Sequence, residues 1–119
     1  SRPRDLVMKK SDYVPDRGDI VWLQFNPQSG HEQAGYRPAL VLSPASYNRV
    51  SGLMLCCPMT SHKKGYPFEV VISGDPHTTS VVLADQVKSL DWKTRQAVKK
   101  GTAPSNVVME TLSKLQTLL

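Results

Sequence analysis

The chain has 119 residues and a formal net charge of +5. Its length predicts one domain with one compact core, because most domains hold about 100 to 150 residues. The chain has no run of about 18 apolar residues that could span a bilayer and no charged-then-apolar leader, which predicts a soluble protein without a membrane partner. Its two cysteines favour the cytoplasm. The excess of positive charge favours a polyanionic partner.

The first half of the chain predicts three strands and one helical turn. Residues 1–14 are polar and charged without a periodic apolar face, which predicts a flexible arm before a domain over 15–119. Three β-rich runs follow, separated by turn signals such as Asn26-Pro27. The predicted elements are strands over DIVWLQF (19–25), RPALVLS (37–43) and LMLCCPMT (53–60), and a helical turn over 44–48.

The second half predicts three more strands and a final helix. The predicted strands are FEVVIS (68–73), SVVLADQVKSL (80–90) and TRQAVKK (94–100). Near the C-terminus Val108, Leu112, Leu115 and Leu119 recur at helical spacing. Short strands separated by turns are typical of a barrel or a sandwich, so the sequence predicts a mainly β domain with a C-terminal amphipathic α-helix packed on the sheet.

The cysteines and histidines show no pattern typical of a metal site. Cys56 and Cys57 are adjacent, so on a strand their side chains would point to opposite faces and could not form a disulfide, which favours a reducing compartment. The three histidines, His31, His62 and His77, lie far apart in predicted loops. No carboxylate cluster suited to magnesium and no phosphate-binding glycine loop is visible. The sequence therefore predicts a protein that needs no metal and no cofactor.

Ionisable side chains concentrate in GHEQAGYRPALVLS (30–43), just before a predicted strand. Such a segment is often a hairpin tip with solvated charges. The same residue types can also act on a phosphodiester, because an arginine binds a phosphate and a carboxylate or imidazole can take a proton. RNA would supply its own 2′-hydroxyl as nucleophile. The candidates are His31, Glu32, Arg37, Thr60 and Asp85, although each one alone is more simply explained as a structural residue.

Three segments of the chain together resemble the MazF/PemK family of toxin endoribonucleases from bacterial toxin–antitoxin pairs. They are GDIVWLQFNPQSGHEQAGYRPALVLSP, CPMTSHKKGYPFEV and VVLADQVKSLDW, in the family's order and spacing. The resemblance runs from about Tyr13 to the C-terminus. It implies a small SH3-like, CcdB-like β-barrel that forms a homodimer and cuts single-stranded RNA at specific sequences. It also implies cleavage without a metal, leaving a 2′,3′-cyclic phosphate and a 5′-hydroxyl.

The resemblance also implies roles for individual residues. The family's catalytic Glu and Arg fall on Glu32 and Arg37, and the Thr of its P-x-T motif falls on Thr60. In the PemK-like branch a His before the Glu and an Asp before a Gln have acid–base roles, and both occur here as His31 and Asp85. That branch also uses an arginine two positions before the Asp, where this chain has a leucine. The general base therefore stays open among Glu32, His31 and Asp85.

Further residues are candidates for holding the RNA. Basic side chains could bind the backbone, polar side chains could contact base edges, and aromatic rings could stack on unpaired bases. Ordinary explanations stand beside these, since lysine pairs are usually solvated and a phenylalanine suits a core. The candidate RNA contacts are Phe25, Tyr47, Asn48, Lys63, Lys64, Gln86, Lys88 and Arg95.

The implied partners are single-stranded RNA, an acidic and partly disordered antitoxin that covers the RNA path, and a second copy of the chain. Two alternatives keep the fold and change the activity. A CcdB-like toxin would bind DNA gyrase without catalysis, and a passive binder of single-stranded RNA would not need Glu32. The set of Glu32, Arg37 and Thr60 argues against the first alternative, because a protein that only binds gyrase does not need a phosphate-binding group beside a base.

Overall fold

The computed structural model describes residues 12–25, 36–72 and 80–119, which form seven β-strands and two α-helices. The strands are β1 (Asp19–Gln24), β2 (Tyr36–Val41), β3 (Leu53–Thr60), β4 (Glu69–Ile72), β5 (Ser80–Leu83), β6 (Lys88–Asp91) and β7 (Val98–Thr102). The helices are α1 (Ala45–Ser51) and α2 (Ser105–Gln116), and a short 3-10 helix spans Ala84–Gln86. In the described ranges, neither helix combines the length and the apolar character that crossing a membrane requires.

The sheet is antiparallel throughout and divides at β3. The first half of β3, Leu53–Cys56, pairs with β6, whereas its last two residues, Met59 and Thr60, pair with β5. On one side of β3 the sheet continues through β5 to β4, and on the other side it continues through β2 and β1 to β7. Because β3 belongs to both parts, the sheet curls into a half-barrel. This mainly β half-barrel with a C-terminal helix confirms the predicted fold class.

Alternating side chains of the central strands fill two apolar clusters. Cys57 packs with Leu40 in the first cluster, and Cys56 packs with Val21 and Met54 in the second. The predicted separation of the two thiols is therefore confirmed, because neighbouring strand residues point to opposite faces. Burial is the main cause that raises the pKa of each thiol to about 12. Both cysteines stay protonated and poorly nucleophilic at neutral pH.

Helix α2 covers the first cluster. Val107 and Val108 are buried in that cluster, and Leu112 and Leu115 pack against it. The predicted amphipathic helix is confirmed over Ser105–Gln116. Leu119, which the spacing placed on the apolar face, is 93% exposed beyond the end of the helix, so that part of the prediction is wrong.

The prediction of one continuous strand over 80–90 is also wrong. The backbone N–H of Ala84 donates to the carbonyl oxygen of Phe68 at 3.0 Å, and the side chain of Ala84 is buried in the first cluster. There the chain leaves its β4 partner, turns through the 3-10 helix and joins β3 as β6. The turn takes Asp85 and Gln86 out of strand geometry and exposes both side chains.

The strand predicted over 94–100 begins later than expected, at Val98. A turn comes first, because the Asp91 carboxylate accepts hydrogen bonds from the backbone N–H groups of Lys93 (3.1 Å) and Thr94 (3.0 Å). The hydrogen bond from Thr94 is the main cause that lowers the pKa of Asp91. Gln96 closes the turn with a φ of 57°, which no strand residue adopts.

The end of the predicted arm lies against the domain. Tyr13 and Val14 pack against the second cluster, and the Tyr13 hydroxyl donates to Asp19 Oδ2 at 2.6 Å. Burial and this hydrogen bond raise the pKa of Tyr13. The expected flexible arm therefore does not include these two residues, and its earlier part, residues 1–11, lies outside the described residues.

Candidate active site

A groove of roughly 570 Å³ opens where β2, β3 and β5 meet the segment between β3 and β4. It combines a cation from β2, a hydroxyl at the end of β3, two polar side chains of the 3-10 helix, and a wall from the β3–β4 loop (residues 61–68). The lining residues are Arg37, Thr60, His62, Lys64, Tyr66, Phe68, Glu69, Leu83, Asp85 and Gln86. The fold thus gathers Arg37, Thr60, Lys64, Asp85 and Gln86, five of the predicted site residues, around one groove.

Arg37 lies on β2 opposite Leu23 of β1, and its side chain is exposed. The preceding residue fixes the backbone there, because Tyr36 stacks on Trp22 with the ring centroids 6.1 Å apart and donates its hydroxyl to the carbonyl of Gln96 at 3.0 Å. Among the described residues, none forms an ion pair with the guanidinium. Arg37 therefore presents a planar, permanently charged group to the groove.

Thr60 ends β3, where it pairs with Val81 of β5. Its Oγ1 accepts a hydrogen bond from the backbone N–H of His62 at 3.1 Å. This bond uses a lone pair of the hydroxyl, so the hydroxyl hydrogen remains available to donate to a second oxygen. A half-buried donor beside an arginine is suited to a phosphate oxygen.

Asp85 and Gln86 lie at the edge of the groove on the 3-10 helix. Cys57 is buried beneath this helix, with its Sγ 3.9 Å from the carbonyl oxygen of Ala84. Burial raises the pKa of Cys57 most, and the negative charge of Asp85 raises it further. An exposed carboxylate at this position can take a proton from a bound nucleophile, and the amide of Gln86 can contact the edge of a base.

The β3–β4 loop forms a wall of the groove that the sequence predicted only in part. The prediction named its lysines, whereas the structure adds His62, Tyr66 and Phe68 to the lining. The Nζ of Lys64 lies 5.9 Å from the centroid of the Tyr66 ring, within the range of a cation–π interaction. A signal for the aromatic residues existed in KKGYPF, but its Gly and Pro indicated only a turn.

Asn48 does not contact RNA in this fold, and its prediction as an RNA contact is wrong. The residue is fully buried. Its amide nitrogen donates to the carbonyls of Pro15 (2.7 Å) and Ser43 (3.0 Å), and its Oδ1 accepts from the Ser43 hydroxyl at 2.6 Å. The polar groups of the side chain are therefore used within the protein, where they join α1 to Pro15 before β1 and to Ser43 after β2.

The remaining predicted RNA contacts lie outside the groove lining. Arg95 Nη1 donates to two backbone carbonyls at the end of β1, at 2.9 and 2.6 Å, so this side chain supports β1. Phe25 packs against the second cluster, and Tyr47 is 46% exposed on α1. Lys63 and Lys88 are both exposed. In the sequence, Lys63 is adjacent to Lys64, and Lys88 follows Gln86 by two residues.

Two predicted catalytic residues, His31 and Glu32, lie outside the described residues. Within the described ranges, no three His, Cys, Asp or Glu side chains are grouped closely enough to hold a metal ion.

The chain matches a known protein family and is similar over most of its length to several characterised proteins. Residues 16–119 match the family model described as PemK-like, MazF-like toxin of type II toxin-antitoxin system. The chain is 51% identical over 109 residues to the endoribonuclease toxin MazF of Escherichia coli strain K12, covering 92% of this chain and 97% of that protein. It is 38% identical over 120 residues to the endoribonuclease PemK of Escherichia coli, covering 98% of this chain and 89% of that protein.

Solved structures share the fold. The crystal structure of MazF from Deinococcus radiodurans superposes with a TM-score of 0.80 at 57% identity, covering 90% of this chain and 97% of that one. A MazE–MazF crystal structure from the same organism gives a TM-score of 0.78 at 51% identity, with 90% and 96% covered. A mycobacterial endoribonuclease in complex with its cognate antitoxin has a TM-score of 0.71 at 20% identity, with 87% and 93% covered, and shows the shared fold.

Proposed function

Because this chain belongs to the PemK-like, MazF-like family of type II toxin–antitoxin toxins, we propose that it is an endoribonuclease toxin that cuts single-stranded RNA and is neutralised by a cognate antitoxin. The observation that carries the proposal is the groove shared by Arg37, Thr60 and Asp85. These residues supply a permanent cation, a hydroxyl donor and a carboxylate. Cleavage of a phosphodiester needs a group that holds the phosphate and a group that takes a proton.

The proposed reaction uses the substrate's own nucleophile. The 2′-oxygen attacks the adjacent phosphorus while its proton passes to a general base. The bond from phosphorus to the 5′-oxygen then breaks and that oxygen takes a proton, leaving a 2′,3′-cyclic phosphate and a 5′-hydroxyl. Arg37 and the Thr60 hydroxyl stabilise the charge that develops on the phosphate oxygens, so the step needs no metal.

Three residues compete for the role of general base. Glu32 is our first candidate on the family resemblance, and His31 and Asp85 are the alternatives that the PemK-like branch suggests. Asp85 has support of its own, because its exposed carboxylate lines the groove together with Arg37. The leucine at position 83 also lines the groove, where the branch uses an arginine, so this chain lacks one cation of that branch.

Recognition of a specific RNA sequence is proposed for the polar and aromatic lining of the groove. Lys64 supplies charge for the RNA backbone, Gln86 offers an amide to base edges, and Tyr66 is 62% exposed and offers a ring for stacking. Lys63 and Lys88 extend the positive surface beside these residues, since both are exposed. Phe25 and Tyr47 stay weaker candidates because they lie outside the lining.

We propose that the toxin acts in the cytoplasm as a homodimer, which its acidic antitoxin inhibits by covering the groove and the exposed lysines beside it. Exposed apolar side chains support a self-association surface. Tyr47 on α1 and Leu55 on β3 (41% exposed) line a second groove of roughly 380 Å³, and Val50 on α1 is 87% exposed. Such apolar exposure marks interaction surfaces.

The alternative of a gyrase-binding toxin is not supported. The relatives that cover nearly the whole chain are named endoribonucleases, and the described groove holds the cation and hydroxyl that such an activity uses. A passive RNA binder would not require Asp85 beside Arg37.

Incubation with a long single-stranded RNA in excess EDTA tests the proposal. We expect discrete fragments with 5′-hydroxyl ends, from a sample whose mass by light scattering is that of a dimer. Adding the cognate antitoxin should suppress cleavage in proportion to the toxin bound. Intact RNA in EDTA with cleavage restored by a divalent cation would contradict the metal-free reaction, and intact RNA under both conditions would contradict the endoribonuclease.

A further inference from the structure

The buried carboxylate of Glu69 lies directly behind the β3–β4 loop. Glu69 is the first residue of β4, and only 7% of its surface is exposed. Its carboxylate accepts the backbone N–H of Lys64 at 3.1 and 3.2 Å to its two oxygens, and that of Gly65 at 2.9 Å to Oε1. Hydrogen bonds donated to a charged acceptor are about twice as strong as those between neutral groups. The side chain therefore binds two successive peptide groups of the loop.

Two further contacts make this arrangement rigid. The backbone N–H of Glu69 donates to the carbonyl of Tyr66 at 3.1 Å, which closes a turn over the same loop. Gly65, whose N–H donates to the carboxylate, adopts a φ of 82°, in the left-handed region that glycine enters without a Cβ penalty. On the other side, Lys114 of α2 donates its Nζ to the carbonyl oxygen of Glu69 at 2.9 Å. The loop is thus fixed to β4, and β4 is fixed to α2.

We propose that Glu69 is a positioning residue for RNA binding, which holds the β3–β4 loop so that Lys64 and Tyr66 face the substrate path. This inference rests on the proposed RNA-cleaving function. Lys64 and Tyr66 both line the groove, with the Lys64 Nζ 5.9 Å from the centroid of the Tyr66 ring. Glu69 binds the backbone N–H of Lys64 and the carbonyl of Tyr66. A loop that must be ordered at each binding event costs affinity, whereas an ordered loop avoids this cost. Glu69 should therefore act on KM and on the affinity for RNA.

The test compares Glu69→Gln and Glu69→Ala with the wild type. The glutamine keeps the size of the side chain and one acceptor oxygen, but it places an NH₂ group against the loop N–H of Lys64. The kinetic readout is KM and kcat on a short RNA with one cleavage site. The binding readout is the Kd for the same RNA with deoxyribose before the scissile phosphate. The third readout is the rate of tryptic cutting at Lys63 and Lys64 in the native protein.

Asp19→Asn is the matched control. Asp19 is also a carboxylate with 7% exposure, it accepts the backbone N–H of Asp16 at 3.1 Å and the Tyr13 hydroxyl at 2.6 Å, and it lies outside the groove lining. Its replacement by asparagine removes the same charge from an equally buried position. It should lower thermal stability without moving KM, Kd or tryptic cutting within the β3–β4 loop.

For Glu69→Gln we expect KM and Kd to rise on the order of tenfold, kcat to stay within about threefold, and tryptic cutting in the loop to accelerate. Glu69→Ala should show larger changes in the same direction, and if it does not fold, the glutamine variant carries the test. Unchanged KM and tryptic rates, a loss confined to kcat, or equal changes in Asp19→Asn would each overturn the inference. Tryptic cutting is measured without RNA. If the protein does not cleave RNA at all, the tryptic rates of the variants still show whether Glu69 holds the loop.

Discussion

Replacing Arg37 with alanine should lower kcat/KM for single-stranded RNA on the order of 10²- to 10⁴-fold. The side chain of Arg37 is exposed in the groove, and the backbone of β2 is held beside it by Tyr36, which stacks on Trp22. Folding should therefore survive the change, while the phosphate loses charge stabilisation where negative charge builds. Single-turnover cleavage of a labelled RNA, together with thermal unfolding, separates these two effects.

The conservative variant sharpens this prediction. Arg37→Lys should recover only part of the activity, because an ammonium group is a point charge and cannot donate two parallel hydrogen bonds. Arg49→Ala is the matched control, since Arg49 is an exposed arginine in the last turn of α1 and lies outside the groove lining. Full activity in Arg37→Ala, or an equal loss in Arg49→Ala, would show that Arg37 does not hold the reacting phosphate.

Removing the general base should have the second large effect. Glu32→Gln should lower kcat on the order of 10²- to 10⁴-fold and leave the Kd for a non-cleavable RNA nearly unchanged, because the amide keeps the shape but cannot take the proton. His31→Gln and Asp85→Asn should cost less than Glu32→Gln. The comparison uses single-turnover rates across pH. If Asp85→Asn abolishes the acidic limb of the pH profile and Glu32→Gln does not, the base lies on the 3-10 helix instead.

The strands were predictable because their signals are local. The run LMLCCPMT coincides with β3, and the adjacent cysteines separate into the two clusters as the two-residue period of a strand requires. The apolar spacing of α2 was also sufficient to locate it. The break at Ala84 was not predicted, because the apolar residues on both sides of Asp85 and Gln86 were interpreted as parts of one strand. The position of the turn depends on the folded sheet, where Ala84 is buried in the first cluster and its N–H donates to the carbonyl of Phe68, just before β4.

The site could be predicted for residues that act by their chemistry and not for those that act by their position. Arg37, Thr60 and Asp85 were named from their chemistry and from the family resemblance, and all three line one groove. Asn48 was named as an RNA contact although its side chain is buried, since residue type alone does not reveal burial. Glu69 was not named, because a glutamate at the start of a strand carries no local sign that its carboxylate binds a loop.

In the proposed reaction the attacking oxygen is the RNA's own 2′-hydroxyl, and a single change in the substrate tests this assignment. An RNA with a single cleavage site is prepared with deoxyribose only at the nucleotide whose 2′-hydroxyl would attack. If the substrate supplies the nucleophile, this RNA should bind with nearly the same Kd and remain uncut in EDTA, while the all-ribose RNA is cut to a cyclic phosphate. Cleavage of the deoxy-substituted RNA at that phosphate would contradict the account, because the attacking oxygen would then have to come from water.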